Sequence, residues 1–160
     1  VMQNDEKYML RALELSQQAL PQCHPNPPVG CVLVKNGSII SEGYTQPPGQ
    51  HHAEAHAIAQ YLENRLANQL VNEHKENTPV DFSDVTAYVT LEPCSFVGRT
   101  PSCANTLATL GVKRVVVAMI DPDPRNSGKG LDRIKQANIQ VDVGICEDHV
   151  KAFISQYLIK

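Results

Sequence analysis

Apolar residues recur along this chain with two periods. Between residues 5 and 20, Tyr8, Met9, Ala12, Leu13, Leu15, Ala19 and Leu20 follow a helical spacing, which predicts an amphipathic helix. Asn4 or Asp5 is placed to cap it, and Pro21 to end it. Pro25, Pro27 and Pro28 then predict an extended, rigid loop. Residues 29–34 and 39–44 read as strands joined through Asn36-Gly37, a strong short hairpin signal. From residue 52 to about 70, Ala55, Ile58, Ala59, Leu62, Leu66 and Leu70 return to helical spacing, and residues 71–84 are polar and read as a surface loop. Residues 85–91 alternate as a strand. Residues 101–110 predict a helix with Pro101 in its first turn and Gly111 as its stop. Val115-Val116-Val117 marks a buried strand within 112–120. A short helix over 131–137, a strand over 139–143 and a closing helix over 146–158 complete the pattern.

The predicted order is α-β-β-α-β-α-β-α-β-α. Its late βαβαβ portion implies right-handed crossovers and parallel strands, while the Asn-Gly hairpin implies one antiparallel pair. The sum is a mixed five-stranded sheet with helices on both faces, a three-layer α/β/α domain. With 160 residues the chain suits one domain, and no apolar run is long enough for a membrane span. A net charge of −3 disfavours a nucleic-acid partner. Five cysteines, an odd number at irregular spacing, fit reduced thiols in a cytoplasm better than a disulfide framework.

Chemistry concentrates in two stretches, His51-His52-Ala53-Glu54 and the segment from Pro93-Cys94 to Cys103. One imidazole and two thiolates make a three-ligand zinc site that leaves a position for water. His52, like Glu54, stands in the first turn of a predicted helix, Cys94 at the end of a predicted strand and Cys103 in the first turn of the next helix, where the helix dipole favours thiolate. Glu54 lies about 200° round an ideal helix from His52, so it suits a proton-transfer role over the water rather than ligation. His51 remains an alternative ligand to His52. His52 and His56 have the i, i+4 spacing of a zinc protease helix, but the His-Glu-x-x-His order is absent. Cys23, Cys31 and Cys146 read as buried small hydrophobes. His56, His74 and His149 read as structural or exposed.

His-Ala-Glu followed by Pro-Cys and a second Cys resembles the cytidine-deaminase-like superfamily. The eight residues between Cys94 and Cys103, in Cys-Ser-x-x-Gly-Arg-Thr-Pro-x-Cys, are similar to the deaminase domain of the riboflavin-biosynthesis deaminases, usually fused to a reductase. The likeness extends through Pro25-Asn26-Pro27-Pro28-Val29-Gly30-Cys31, Tyr88 to Cys94, Val115 to Met119, and Asp121-Pro122-Asp123-Pro124 with Gly128-Lys129-Gly130.

The resemblance implies the cytidine-deaminase-like fold over a single domain, 1–160, with an insertion around 64–84 and no reductase domain. It implies one zinc ion held by His52, Cys94 and Cys103, with Glu54 as the proton shuttle. The implied reaction is hydrolytic deamination of a diaminopyrimidinone bearing a phosphorylated ribosyl or ribityl amine, a C–N hydrolysis at a cyclic amidine. Asn26, Ala53, Arg99, Thr100, Asp121, Asp123 and Lys129 are the implied substrate contacts, with Arg125 a further candidate for the phosphate. A homodimer or higher oligomer is the implied assembly, without nucleic-acid or membrane partners. The chain departs from the family where Thr45 and Phe96 replace common histidines and Asp123 a common asparagine. A deaminase for another base or nucleotide and a non-catalytic zinc module are the alternative readings.

Overall fold

The computed structural model describes residues 3–71, 80–95 and 102–158. Its elements are α1 (Gln3–Gln18), β1 (Gly30–Lys35), β2 (Ser38–Tyr44), α2 (Ala53–Val71), β3 (Val85–Val89), α3 (Cys103–Leu110), β4 (Arg114–Val117), α4 (Lys129–Gln136), β5 (Gln140–Val143) and α5 (Glu147–Ile154), closed by a 3-10 turn at Ser155–Tyr157. The five strands form one sheet in the order β2-β1-β3-β4-β5. β1 runs antiparallel to β2 and β3, whereas β3, β4 and β5 are parallel. This is the mixed sheet the sequence predicts.

Strand alternation sorts side chains into two cores. Cys31, Leu33, Ala87, Val89, Val115 and Val117 pack with Ala57 and Ile58 of α2, Leu107 of α3 and Leu131 and Ile134 of α4. Val32, Val34, Tyr88 and Val116 face the other way and meet Tyr8, Met9, Ala12 and Leu15 of α1 and Val150 and Ile154 of α5. The result is three layers, with each sheet face dried by helices.

Local turn chemistry holds where it is strongest. Asn36 and Gly37 take φ values of 53° and 76°, as a two-residue hairpin of this type requires. Gly111 ends α3 at φ 69°, its N–H bonded to the Leu107 and Ala108 carbonyls, and the Ser102 hydroxyl caps the start by accepting the Asn105 N–H.

Two expectations change. The first helix ends at Gln18, before Pro21, and residues 19–25 continue as turns through Cys23 N–H to Ala19 O and Asn26 N–H to Cys23 O. Asp5 is not a cap. It is buried within α1, where it accepts two hydrogen bonds from the Arg114 guanidinium at 2.9 Å each and one from the Tyr88 hydroxyl at 2.6 Å. Arg114 also donates to Asp142 of β5, so one ion network ties α1 to three neighbouring strands. As the helical spacing from 52 to about 70 predicts, α2 runs to Val71 and takes in the first part of the insertion expected around 64–84; residues 72–79 lie outside the described residues. No helix among the described residues is long and apolar enough to cross a membrane.

Candidate active site

The site lies beyond the C-terminal ends of the parallel strands, where open α/β sheets leave a crevice. β3 delivers Leu91, Glu92 and Cys94, β4 delivers the loop starting at Asp121, and α2 presents its N-terminus. These elements border a pocket of about 550 Å³, within the usual range for small-molecule sites.

His52 precedes α2 and its carbonyl accepts the His56 N–H at 2.9 Å, so it is the residue that opens the helix rather than a member of its first turn. Its backbone is therefore free of helical geometry, and the ideal angular offset does not separate it from Glu54. Both line the same pocket. His52 Nδ1 stands 3.7 Å from Cys94 Sγ and 3.7 Å from Cys103 Sγ. All three donor atoms fall within 4.8 Å of one another. Zinc bonds of about 2.0–2.1 Å to nitrogen and 2.3 Å to sulfur span a tetrahedral N···S edge of about 3.6 Å. The donor set and its spacing fit that ion.

The N-terminus of α3 holds the two cysteines together. Cys103 N–H donates to Cys94 Sγ at 3.3 Å, Ala104 N–H to Cys94 O at 3.0 Å, and Ser102 Oγ to the same carbonyl at 2.8 Å. The Cys103 thiol, then His52 and the Cys103 N–H, stabilise the Cys94 thiolate and draw its pKa down to about 4, against the cost of burial. Cys103 is pushed far above its ordinary value, first by that hydrogen bond to Cys94 and then by burial and Glu54. The pair thus shares one proton, which a divalent cation displaces on binding. The Cys94 thiolate and Glu54 raise the pKa of His52, while burial opposes them.

Glu54 is 5% exposed. Burial and the Cys94 thiolate lift its pKa to about 7, with His52 pulling the other way. A carboxyl so placed accepts and returns a proton near neutrality.

His51 is exposed and absent from the pocket lining, which favours His52 as the imidazole ligand. The His56 ring accepts the Tyr44 N–H at 3.1 Å and neighbours Gln60, so the His52–His56 protease pair does not form. Burial pushes Cys31 well up and keeps it an inert thiol.

Of the expected substrate contacts, Asn26, Asp121, Asp123 and Arg125 line the pocket. The two aspartates also build their own loop: Asp121 accepts the Asp123 N–H, and Asp123 accepts the Arg125 N–H and guanidinium. Ala53 is buried, and Lys129 is exposed at the start of α4; neither lines the pocket. Arg99, Thr100 and Phe96 lie outside the described residues. Thr45 is turned inward, accepting the Val29 N–H and donating to Pro27 O, and so braces the loop that carries Asn26. Sequence reasoning missed Pro25, Pro48, Tyr157 and Leu158 as lining residues. The last two arrive from the far end of the chain, and no local signal marks them.

Residues 2–119 match the model of the cytidine and deoxycytidylate deaminase zinc-binding region. The chain is 48% identical over 141 residues to the riboflavin biosynthesis protein RibD of Escherichia coli K12, covering 88% of this chain but 34% of that protein. It spans about a third of the length of the first such relatives. It is 39% identical to the diaminohydroxyphosphoribosylamino-pyrimidine deaminase of Buchnera aphidicola, covering 94% of this chain and 90% of the relative. The solved structure of Acinetobacter baumannii RibD superposes with a TM-score of 0.82 at 41% identity, over 97% of this chain and 39% of that one. With a His/Cys/Cys donor set, a buried glutamate beside it and these similarities along most of its length, the chain belongs to the zinc-dependent cytidine and deoxycytidylate deaminase family, in the branch of the riboflavin-biosynthesis pyrimidine deaminases.

Proposed function

We propose that this chain is a single deaminase domain that removes an amino group hydrolytically from a diaminopyrimidinone carrying a phosphorylated ribosyl or ribityl amine. The observation that carries this reading is Glu54, a buried carboxyl on the pocket wall beside the His52, Cys94 and Cys103 donor atoms. A zinc site that served structure alone needs no such group, because it is closed by a fourth ligand.

His52, Cys94 and Cys103 would hold the zinc. When bound, zinc supplies Lewis-acid activation of water, lowering its pKa to near 7. Glu54 would take one proton from the attacking water as its oxygen adds to the amine-bearing ring carbon, and pass that proton to the ring nitrogen. It would then take the remaining proton from the added hydroxyl and hand it to the departing amine, which leaves as ammonia while the ring carbon keeps the oxygen as a carbonyl. One carboxyl serves as base and then acid because it faces both water and ring. Burial excludes competing solvent and strengthens each electrostatic contact.

Asn26 is assigned to the pyrimidine edge, Asp121 and Asp123 to the sugar hydroxyls, and Arg125 with Arg99 and Thr100 to the phosphate. Arg125 brings a cation to the pocket rim, held by Asp123. Ala53, next to His52, and Lys129, at the start of α4, are kept as further substrate contacts. We take the working form to be a homo-oligomer.

The test is ammonia release from the diaminopyrimidinone ribosylamine phosphate, with its ribityl analogue, cytidine, deoxycytidylate and guanine alongside. Turnover of the diaminopyrimidinone alone is expected. Turnover of cytidine or deoxycytidylate instead would move the chain to another substrate, and no turnover by a zinc-loaded protein would leave a binding module.

A further inference from the structure

Glu92 is a carboxylate with no part in the chemistry above, yet it is 3% exposed. It follows β3 and stands two residues before Cys94, with its N–H bonded to Met119 O at 3.0 Å. Its side chain takes three backbone donors from one distant segment. Oε1 accepts the N–H groups of Asp121 at 3.1 Å and Gly128 at 3.0 Å, and Oε2 accepts that of Leu131 at 3.1 Å. These donors bracket the loop that carries Asp121, Asp123 and Arg125 into the pocket.

Two of the donors belong to the N-terminus of α4, where unpaired N–H groups need acceptors. Gly128 occupies the cap position and has no side chain to offer. Glu92 does that work from across the fold, with a full negative charge at the positive end of the helix. The next residue extends the clamp. Pro93 O accepts Asn126 Nδ2 at 3.2 Å, and Asn126, fully buried, accepts the Ser95 N–H at 2.9 Å and also donates to Asp121 at 3.3 Å. The segment 92–95, which carries one sulfur ligand, is thereby locked in register with the wall at 121–126.

We propose that Glu92 is a positioning residue that sets the distance between the metal centre and the Asp121–Arg125 wall, and so determines how the sugar-phosphate end of the substrate is gripped. It acts through the loop and touches neither the metal nor the reacting atoms. The substrate part of this inference rests on the function proposed above.

The test compares E92Q with the wild-type zinc enzyme. Gln is nearly isosteric but places an NH₂ where an acceptor is needed, so at least one of the three N–H groups loses its bond. With the diaminopyrimidinone ribosylamine phosphate, KM is expected to rise at least about tenfold, worth about 1.4 kcal/mol. The same variant should keep kcat within about threefold, with zinc content unchanged. A role confined to general stability would lower Tm and the active fraction but leave KM unmoved. E92D keeps the charge while shortening the reach; it should shift KM in the same direction and serves if E92Q does not fold. A KM within twofold of wild type in a folded variant overturns the proposal, as does loss of zinc together with kcat. Amide exchange is read in parallel: faster exchange at Asp121, Gly128 and Leu131, with Val115–Val117 unchanged, is expected, and unchanged protection overturns the clamp. If the wild-type enzyme fails to turn over this substrate, the substrate reading falls, while the exchange pattern still decides what Glu92 holds.

Discussion

Gly130 offers a sharp test of how closely the wall is fitted to the metal centre. A Cβ built there lies 1.9 Å from Pro93 O and 3.3 Å from Glu92 Oε2. A carbon reaches a carbonyl oxygen at about 3.3 Å without clash, so G130A must open that contact by about 1.4 Å. Neither side yields easily, since Pro93 O is held by Asn126, Glu92 by three N–H groups, and Cys94 follows immediately. Two energies compete. Alanine inside a helix is favoured over glycine by about 1 kcal/mol, whereas overpacking costs about 1–3 kcal/mol. The clash is with backbone rather than a flexible side chain, so its upper range applies and the net is about 1–2 kcal/mol of destabilisation. That is a Tm lowered by about 2–8 °C for a chain of this size. The effect on activity should be larger, because a displacement of about 1 Å in a positioned site costs about 10²-fold. Thermal melts of the zinc-loaded protein and kcat/KM for the diaminopyrimidinone substrate measure both. A G130A enzyme as stable as wild type with undiminished kcat/KM would refute the reasoning, for the helix would then be free to move without consequence.

Replacing Glu54 by Gln removes the proton carrier but no metal ligand: kcat should fall about 10²–10⁴-fold with zinc stoichiometry retained, read by ammonia release and metal analysis. Replacing Asp5 by Ala leaves the Tyr88 hydroxyl without its acceptor and Arg114 with Asp142. Because Arg114 is 20% exposed and keeps one partner, the loss should sit near the bottom of the range for a broken buried pair, about 3 kcal/mol in urea unfolding at neutral pH. The Arg114 guanidinium holds the Asp5 pKa below its ordinary 3.8. This stabilisation is therefore full above the unfolded-state value and disappears as pH falls through the lower folded one. The gap between wild type and D5A should be flat from neutrality to about pH 5 and close below pH 3.8; a gap independent of pH would exclude the ion pair as its source.

The comparison between pattern and fold divides along physical lines. Asn36-Gly37 and Gly111 were legible because a positive φ is decided by the residue itself and its neighbours. The sheet covered by helices on both faces was legible because strands and helices alternate along the chain and such crossovers place helices on either side. The zinc donor set was legible because few uses other than metal explain one histidine and two cysteines at the edges of three predicted elements. The same local reasoning misread Asp5, which has the composition of a cap, because its partners lie 83 and 109 residues away. It also passed over Glu92 and Asn126, whose partners are donors and acceptors of the backbone and so leave no mark in residue type. Tyr157 and Leu158 reach the pocket only because the chain's last turn packs back toward it.

By itself, then, the sequence determined which elements form, in what order, and which atoms can bind a metal and carry a proton, since these follow from short-range sterics, periodicity and side-chain chemistry. Only the tertiary structure decided that His52 stands just outside its helix, sharing a pocket with Glu54, and that one buried glutamate holds the far wall in place. Those facts depend on packing between segments 29 to 51 residues apart, where many backbone partners are chemically equivalent and only the fold selects among them.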